Sequence, residues 1–184
     1  MSRPLVTAGV DIGDRNSHLC LIDTGNGEVI EESKIRTSSS AFERYFSKAE
    51  RMRVSIEAGT HSPWISRLLE RLGHEVLVAN PRKLRLIYGE GRKTDGLDAE
   101  NLARLARLDP KLLSPLKHRG KASQAHLALI RSRDALVRSR TQLVNHVRGV
   151  VKSFGARLPK CSTSSFYKKE EVAGKLPEEL LRPP

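Results

Sequence analysis

The sequence predicts an α/β fold: a mixed five-stranded sheet with flanking helices, followed by one long helix of coiled-coil type. Three observations predict it. Residues 6–35 hold three short apolar runs separated by turn residues. Residues 41–79 then alternate helical and strand periodicity. Residues 121–154 repeat apolar side chains every seven positions. A chain of 184 residues accommodates one domain plus a helical extension. The expected divisions are a sheet domain over 1–116, a basic helical region over 117–156 and a linker-like segment over 157–184.

Residues 6–11 are apolar and followed by Gly13, which reads as a strand ending in a tight turn. Residues 18–23 form a second strand, Gly25-Asn26-Gly27 punctuates a hairpin, and residues 28–35 form the third. Ser38-Ser39-Ser40 precedes a helix over 41–49 that puts Phe42, Tyr45, Phe46 and Ala49 on one face. Residues 53–57 carry Val54 and Ile56 as a buried strand. Ser62-Pro63 reads as an N-cap with Pro in the first helical position, and that helix runs through Ile65, Leu68, Leu69 and Leu72 to Gly73. Residues 75–79 are the fifth strand. The order β-β-β-α-β-α-β fits a ribonuclease-H-like sheet of strand order 3-2-1-4-5, and also one half of an actin-type ATPase. A doubly wound fold fits less well, because it would not begin with a meander.

Asn80-Pro81 opens a basic stretch holding Arg82, Lys83, Arg85, Arg92 and Lys93. A helix is expected over 96–108, stopping at Asp109-Pro110, and residues 111–120 read as a loop across the sheet edge. In the long helix, Leu129, Leu136, Leu143 and Val150 form one column, with Ile130, Val137, Val144 and Val151 beside it. Arg131, Arg133, Arg138, Arg140, Arg148 and Lys152 flank this seam. It serves either packing within the chain or pairing with a second helix.

Residues 1–80 contain 10 basic and 11 acidic residues, whereas residues 81–184 contain 23 and 10. The first part is electrically balanced. The second has the footprint of a protein that meets a polyanion. Aromatics at 4% argue against single-strand binding by base stacking. No apolar run approaches the roughly 20 residues of a membrane span, and no signal-peptide pattern opens the chain, so a cytoplasmic location is expected. Cys20 and Cys161 match no zinc spacing and are expected as free thiols.

Four acids stand out. Asp11 ends the first strand and Glu57 the fourth, and these strands are neighbours in the expected sheet. Gly13 and Gly59 follow closely, allowing close backbone approach of a phosphate or metal. Asp95 and Asp98, three residues apart at a helix start, share a face. Gathering four carboxylates costs electrostatic repulsion, which a divalent cation relieves, and oxygen-only ligands select Mg²⁺ or Mn²⁺. Each acid also has a plainer role open to it. Asp95 and Asp98 fit a helix cap, Asp11 with Gly13 fits a nucleotide loop or a turn, and Glu57 fits a solvated strand end. His61 is a phosphate contact, a proton shuttle or an ordinary loop histidine.

The runs Val10-Asp11-Ile12-Gly13, Ile56-Glu57-Ala58-Gly59, Asn80-Pro81 and Lys93-Thr94-Asp95-Gly96-Leu97-Asp98-Ala99 resemble, in order and spacing, the DEDD transposases of insertion-sequence family one-ten, also called Piv/MooV-type recombinases. Asp109-Pro110 and the helix around Ile130–Arg148 resemble that family too, so the likeness covers roughly residues 5–160. The resemblance implies a RuvC-like ribonuclease-H fold with Asp11, Glu57, Asp95 and Asp98 as metal-binding acids. It implies DNA cleavage and rejoining that moves a mobile element, with a structured guide RNA as partner. The helix over 121–154 would serve a homodimer or higher oligomer and contact RNA. Family members continue into a C-terminal domain carrying a serine nucleophile. Nothing in residues 155–184 resembles it, and Ser162, Ser164 and Ser165 do not take that role. A truncated chain is therefore expected to bind metal and nucleic acid without completing recombination. The alternatives are a stand-alone junction-resolvase-type nuclease and a non-catalytic nucleic-acid-binding regulator. A sugar kinase would need a Gly-rich phosphate loop after residue 80, and none follows.

Overall fold

The computed structural model describes residues 4–88 and 95–168, and the chain divides into two compact units, Met1–Arg119 and Gly120–Pro184. In the first unit, β1 (Val6–Ile12), β2 (Asn16–Asp23) and β3 (Val29–Arg36) form an antiparallel meander. β4 (Arg53–Glu57) adds parallel to β1, and β5 (Glu75–Ala79) parallel to β4. The sheet order is β3-β2-β1-β4-β5, the mixed ribonuclease-H-like sheet that the element order predicts. Asp23 accepts the Gly25 and Asn26 amides at 2.7 and 2.9 Å, which shapes the hairpin between β2 and β3.

The two faces of the sheet are covered differently. α1 (Ser39–Phe46) and α2 (Ser62–Arg71) share one face, where Val10, Leu19, Val54 and Ile56 pack with Phe42, Phe46, Ile65 and Leu69. Phe42 stacks on Phe46 and meets Trp64 edge-on, with centroids 5.8 and 5.5 Å apart. Ser38 caps α1, accepting the Ala41 amide. The start of α2 differs from expectation. His61 occupies the cap position without a capping bond from its side chain, and Ser62 lies inside the helix. The Ser62 hydroxyl is engaged elsewhere, accepting from the Gly59 amide and donating to the Gly59 carbonyl, both at 2.9 Å.

α4 (Asp95–Leu108) covers the other face, riding on β1 and β2. Gly9 makes this possible: a Cβ there would collide with the Ala99 carbonyl and the Ala103 amide. Cys20, Ile22, Ala99 and Ala103 form the contact, so the helix backbone lies almost directly on the sheet. Arg104 donates to Gly27 O, and Arg107 to Thr24 O and Gly25 O, anchoring the carboxyl end of α4 at the β2–β3 hairpin. Arg53 binds Glu75 at 2.8 Å and the Ala106 carbonyl at 3.1 Å, tying α4 to β4 and β5.

The basic stretch after Asn80 contains a helix that the charge pattern hid: α3 (Pro81–Tyr88). Leu84 of α3 is buried with Leu102, Leu105 and Leu113. Arg92 and Lys93 lie outside the described residues. A 3₁₀ turn at Pro110–Leu113 follows α4, after which the Leu116 amide binds Val78 O at 2.8 Å, covering the open edge of β5.

In the second unit, α5 (Lys121–Ser153) extends for 33 residues, roughly 50 Å at helical rise. Gly155, at φ 78°, ends it in the left-handed region. Residues 156–168 then turn back on the helix: Arg148 donates to the Cys161 carbonyl at 2.6 Å and lies over the Phe166 ring. No helix of the described residues is long and apolar enough to cross a membrane.

Candidate functional site

The register of β1 and β4 places the first two acids. Gly9 pairs with Ser55 and Val10 with Ile56, so Asp11 and Glu57 are the next residues along parallel neighbours. Side chains alternate along a strand. Ala8, Val10, Val54 and Ile56 serve the core under α1 and α2. Gly9, Asp11, Ser55 and Glu57 therefore belong to the face that α4 covers. Asp11 and Glu57 line one cavity of about 400 Å³, with Asp14 and the segment from Ala58 to Ser62.

α4 brings its own acids toward this rim. Its carboxyl end is pinned at the hairpin beyond the start of β1, so the helix runs antiparallel to β1 and its amino end points toward Ile12. Ala99 sits at the level of Gly9. Asp95 lies one turn earlier, about 6 Å along the axis, and Asp11 lies two residues beyond Gly9, about 7 Å along the strand. The backbones of Asp95 and Asp11 thus reach similar heights above the Gly9 contact. Asp98 is half-buried on the first turn of α4. Among the described residues, no three His, Cys, Asp or Glu side chains are grouped closely enough to hold a metal ion. The Asp95 side chain lies outside the described residues.

The loop between β4 and α2 shapes the cavity wall. Gly59 lines the pocket, and a Cβ there would meet open space. Gly13 has a different role: a Cβ there would collide with the Asn16 carbonyl, so this glycine is required by the β1–β2 turn. His61 is held from both sides. The Trp64 indole N–H donates to His61 Nδ1 at 3.1 Å, and Nε2 lies 3.6 Å from Asp14 Oδ1. An indole can only donate, so Nδ1 is the acceptor and the ring hydrogen sits on Nε2, on the side of Asp14. Behind it, His118 Nε2 lies 3.0 Å from Ser62 Oγ. Burial, with Arg67 nearby, pulls the His118 pKa below its usual value, so the ring supports the loop as a neutral group. Sequence inspection did not identify His118; no local pattern marks a histidine that meets Ser62 across the fold.

The basic residues fall into separate sets. Arg82 and Lys83 are exposed on α3; Arg85 lies on the same helix. Arg131, Arg133, Arg138, Arg140 and Lys152 are exposed on α5, with Arg138 paired to Asp134 at 2.9 Å. Arg148 is half-buried by the returning chain. Both cysteines are free, and burial raises the Cys20 thiol to about 11, leaving it unreactive at neutral pH.

Comparison with known proteins gives consistent relatives. The profile of the DEDD transposases of insertion-sequence family one-ten, described as a transposase, matches residues 8–155. A protein named transposase y4pF/y4sB in Sinorhizobium fredii is 31% identical over 153 residues, covering 81% of this chain and 39% of that protein. The transposase for insertion sequence element IS1328 of Yersinia enterocolitica is 26% identical over 153 residues, covering 83% of this chain and 44% of its own length. The chain thus spans less than half the length of these relatives. Among solved structures, T. thermophilus RuvC in complex with a Holliday junction substrate aligns with a TM-score of 0.43 and 12% identity, over 58% of this chain and 97% of that one.

Proposed function

Since the chain belongs to the DEDD transposase family of insertion-sequence family one-ten, we propose that it is the catalytic half of a DNA recombinase, with Asp11, Glu57, Asp95 and Asp98 as its acidic centre. The observation that carries this is the shared cavity of Asp11 and Glu57 on the sheet face covered by α4, whose first turn holds the other two acids. The donor set fits a hard cation, being carboxylate oxygens with no sulfur ligand among the lining residues. Mg²⁺ or Mn²⁺ held there would polarise a phosphodiester and stabilise its attacking and leaving oxygens.

The chain's own residues supply position. Parallel pairing of β1 and β4 sets the spacing of Asp11 and Glu57, and the Gly9 contact sets the height of α4. His61, fixed as an Nε2–H donor by Trp64, offers a hydrogen bond to a phosphate oxygen at the rim. The basic residues of α3 and α5 offer phosphate contacts on DNA and on a structured guide RNA.

α5 also fits self-association. Leu129, Leu136 and Leu143 are 69%, 73% and 66% exposed, a leucine column at heptad spacing. Ile130 is exposed beside it, whereas Val144 and Val151 are buried. We assign the exposed column to pairing with a second copy.

Calorimetric titration with Mg²⁺ tests the acidic centre. Asp11→Asn and Glu57→Gln are each expected to weaken metal binding at least about tenfold, as loss of a charged ligand does, while duplex DNA binding persists. Unchanged metal affinity in both variants contradicts the assignment.

A further inference from the structure

A second cavity of the first unit, about 540 Å³, opens between the carboxyl end of β3 and the outer face of α1. Arg36, Arg44 and Lys48 line it, with the hydroxyls of Ser38, Ser40 and Tyr45. We propose that this cavity binds the phosphodiester backbone of duplex DNA, as an extension of the acidic centre along the same rim. The proposal rests on the DNA-recombinase function above and names a contact surface for its substrate.

Charge is the first support. The lining contains three cations and no carboxylate. The acids nearby are occupied: Glu43 binds Arg71 at 3.2 Å, and Glu31 accepts the Tyr45 hydroxyl at 2.8 Å. Arg53 and Arg71 of the same unit have carboxylate partners, so these three cations are a local excess inside an electrically balanced sequence half. Ser40 and Arg44, four residues apart, present one face of α1 to the pocket, and Lys48 joins them from the turn that follows the helix.

Position is the second support. β3 is antiparallel to β2, which is antiparallel to β1, so β3 and β1 end at the same edge. Ile12, Ser17 and Ile35 form one register line across the three strands. Both cavities are therefore strand-to-helix crevices at one rim, the place where open α/β sheets bind ligands. Two strand spacings, roughly 10 Å, separate β1 from β3. The rim between them is braced: Thr37 donates from Oγ1 to Gly13 O at 2.8 Å, lies 2.8 Å from Ser17 Oγ, and donates from its amide to Arg15 O at 3.0 Å. A strand engaged at the acids, which lie on the α4 side of the sheet, can cross this rim to the basic pocket on the α1 side. That shared rim favours the DNA being processed over RNA bound elsewhere.

The test is duplex DNA binding over a salt series, comparing the protein with Arg36→Gln/Arg44→Gln/Lys48→Gln and with the milder Arg44→Gln. If two phosphates are lost, the slope of log K against log salt becomes less negative by roughly two. The single variant should move it by about one. Mg²⁺ affinity serves as the control for an intact acidic centre and fold and is expected not to change. A triple variant with the wild-type DNA slope overturns this site while leaving the acidic centre standing. Loss confined to structured RNA also overturns it. A wild-type protein whose DNA binding ignores salt overturns both this site and the recombinase function on which it rests.

Discussion

His74 illustrates how one side chain joins core packing to solution behaviour. It is 6% exposed, accepts the Met52 amide at Nδ1 and binds the Phe46 carbonyl through Nε2. That pair of bonds requires the neutral ring, with its hydrogen on Nε2. Burial lowers its pKa from the ordinary 6.5, and the Phe46 bond opposes this only in part. The unfolded chain therefore takes up a proton near pH 6.5 while the folded one does not. Stability is full above that pH and falls as pH drops toward the depressed folded value. His118 acts in the same direction. Denaturant unfolding between pH 7.5 and 5 should show declining stability, at up to about 1.4 kcal/mol per pH unit for each such histidine. His74→Gln should flatten the profile; an unchanged profile would contradict the account. The Asp11 and Glu57 positions were legible in the sequence, because each ends an apolar run beside a turn. Arg36, Arg44 and Lys48 were not, because opposite charges elsewhere in residues 1–80 cancel them in any sum along the chain.

Among the elements, β4 and β5 have the bounds their patterns predict, since a buried parallel strand between helices is a short apolar run with sharp ends. α3 escaped notice because its eight residues interleave Leu84, Leu86 and Ile87 with Arg82, Lys83 and Arg85, a run too short to show a sustained helical period. Gly9 looked like an ordinary strand residue. Its significance lies in Ala99 and Ala103, about ninety positions away, which no local pattern reveals. For α5 the heptads were legible, but their use was not, because packing within a chain and between chains leaves the same repeat. The exposure of Leu129, Leu136 and Leu143 decides for an outward-facing column. Sedimentation should show self-association that Leu136→Asp/Leu143→Asp abolishes, with helix content retained. A monomeric wild-type protein would contradict the pairing.

For the whole molecule, the sheet order and the Gly9 contact act together. Two strands bring Asp11 and Glu57 to one edge, and a helix lying almost on the sheet brings the Asp95 backbone to a similar height. In the proposed function, chemistry therefore depends on long-range register, while the chain's net charge of +12 would supply affinity for polyanions without dictating where that chemistry occurs. The most direct measurement is Mn²⁺-induced line broadening of assigned backbone amides. One saturable step that broadens Asp11, Glu57, Asp95 and Asp98 together at substoichiometric metal is the predicted result. Broadening that spares the first turn of α4, or that separates Asp11 from Glu57, would contradict the shared acidic centre.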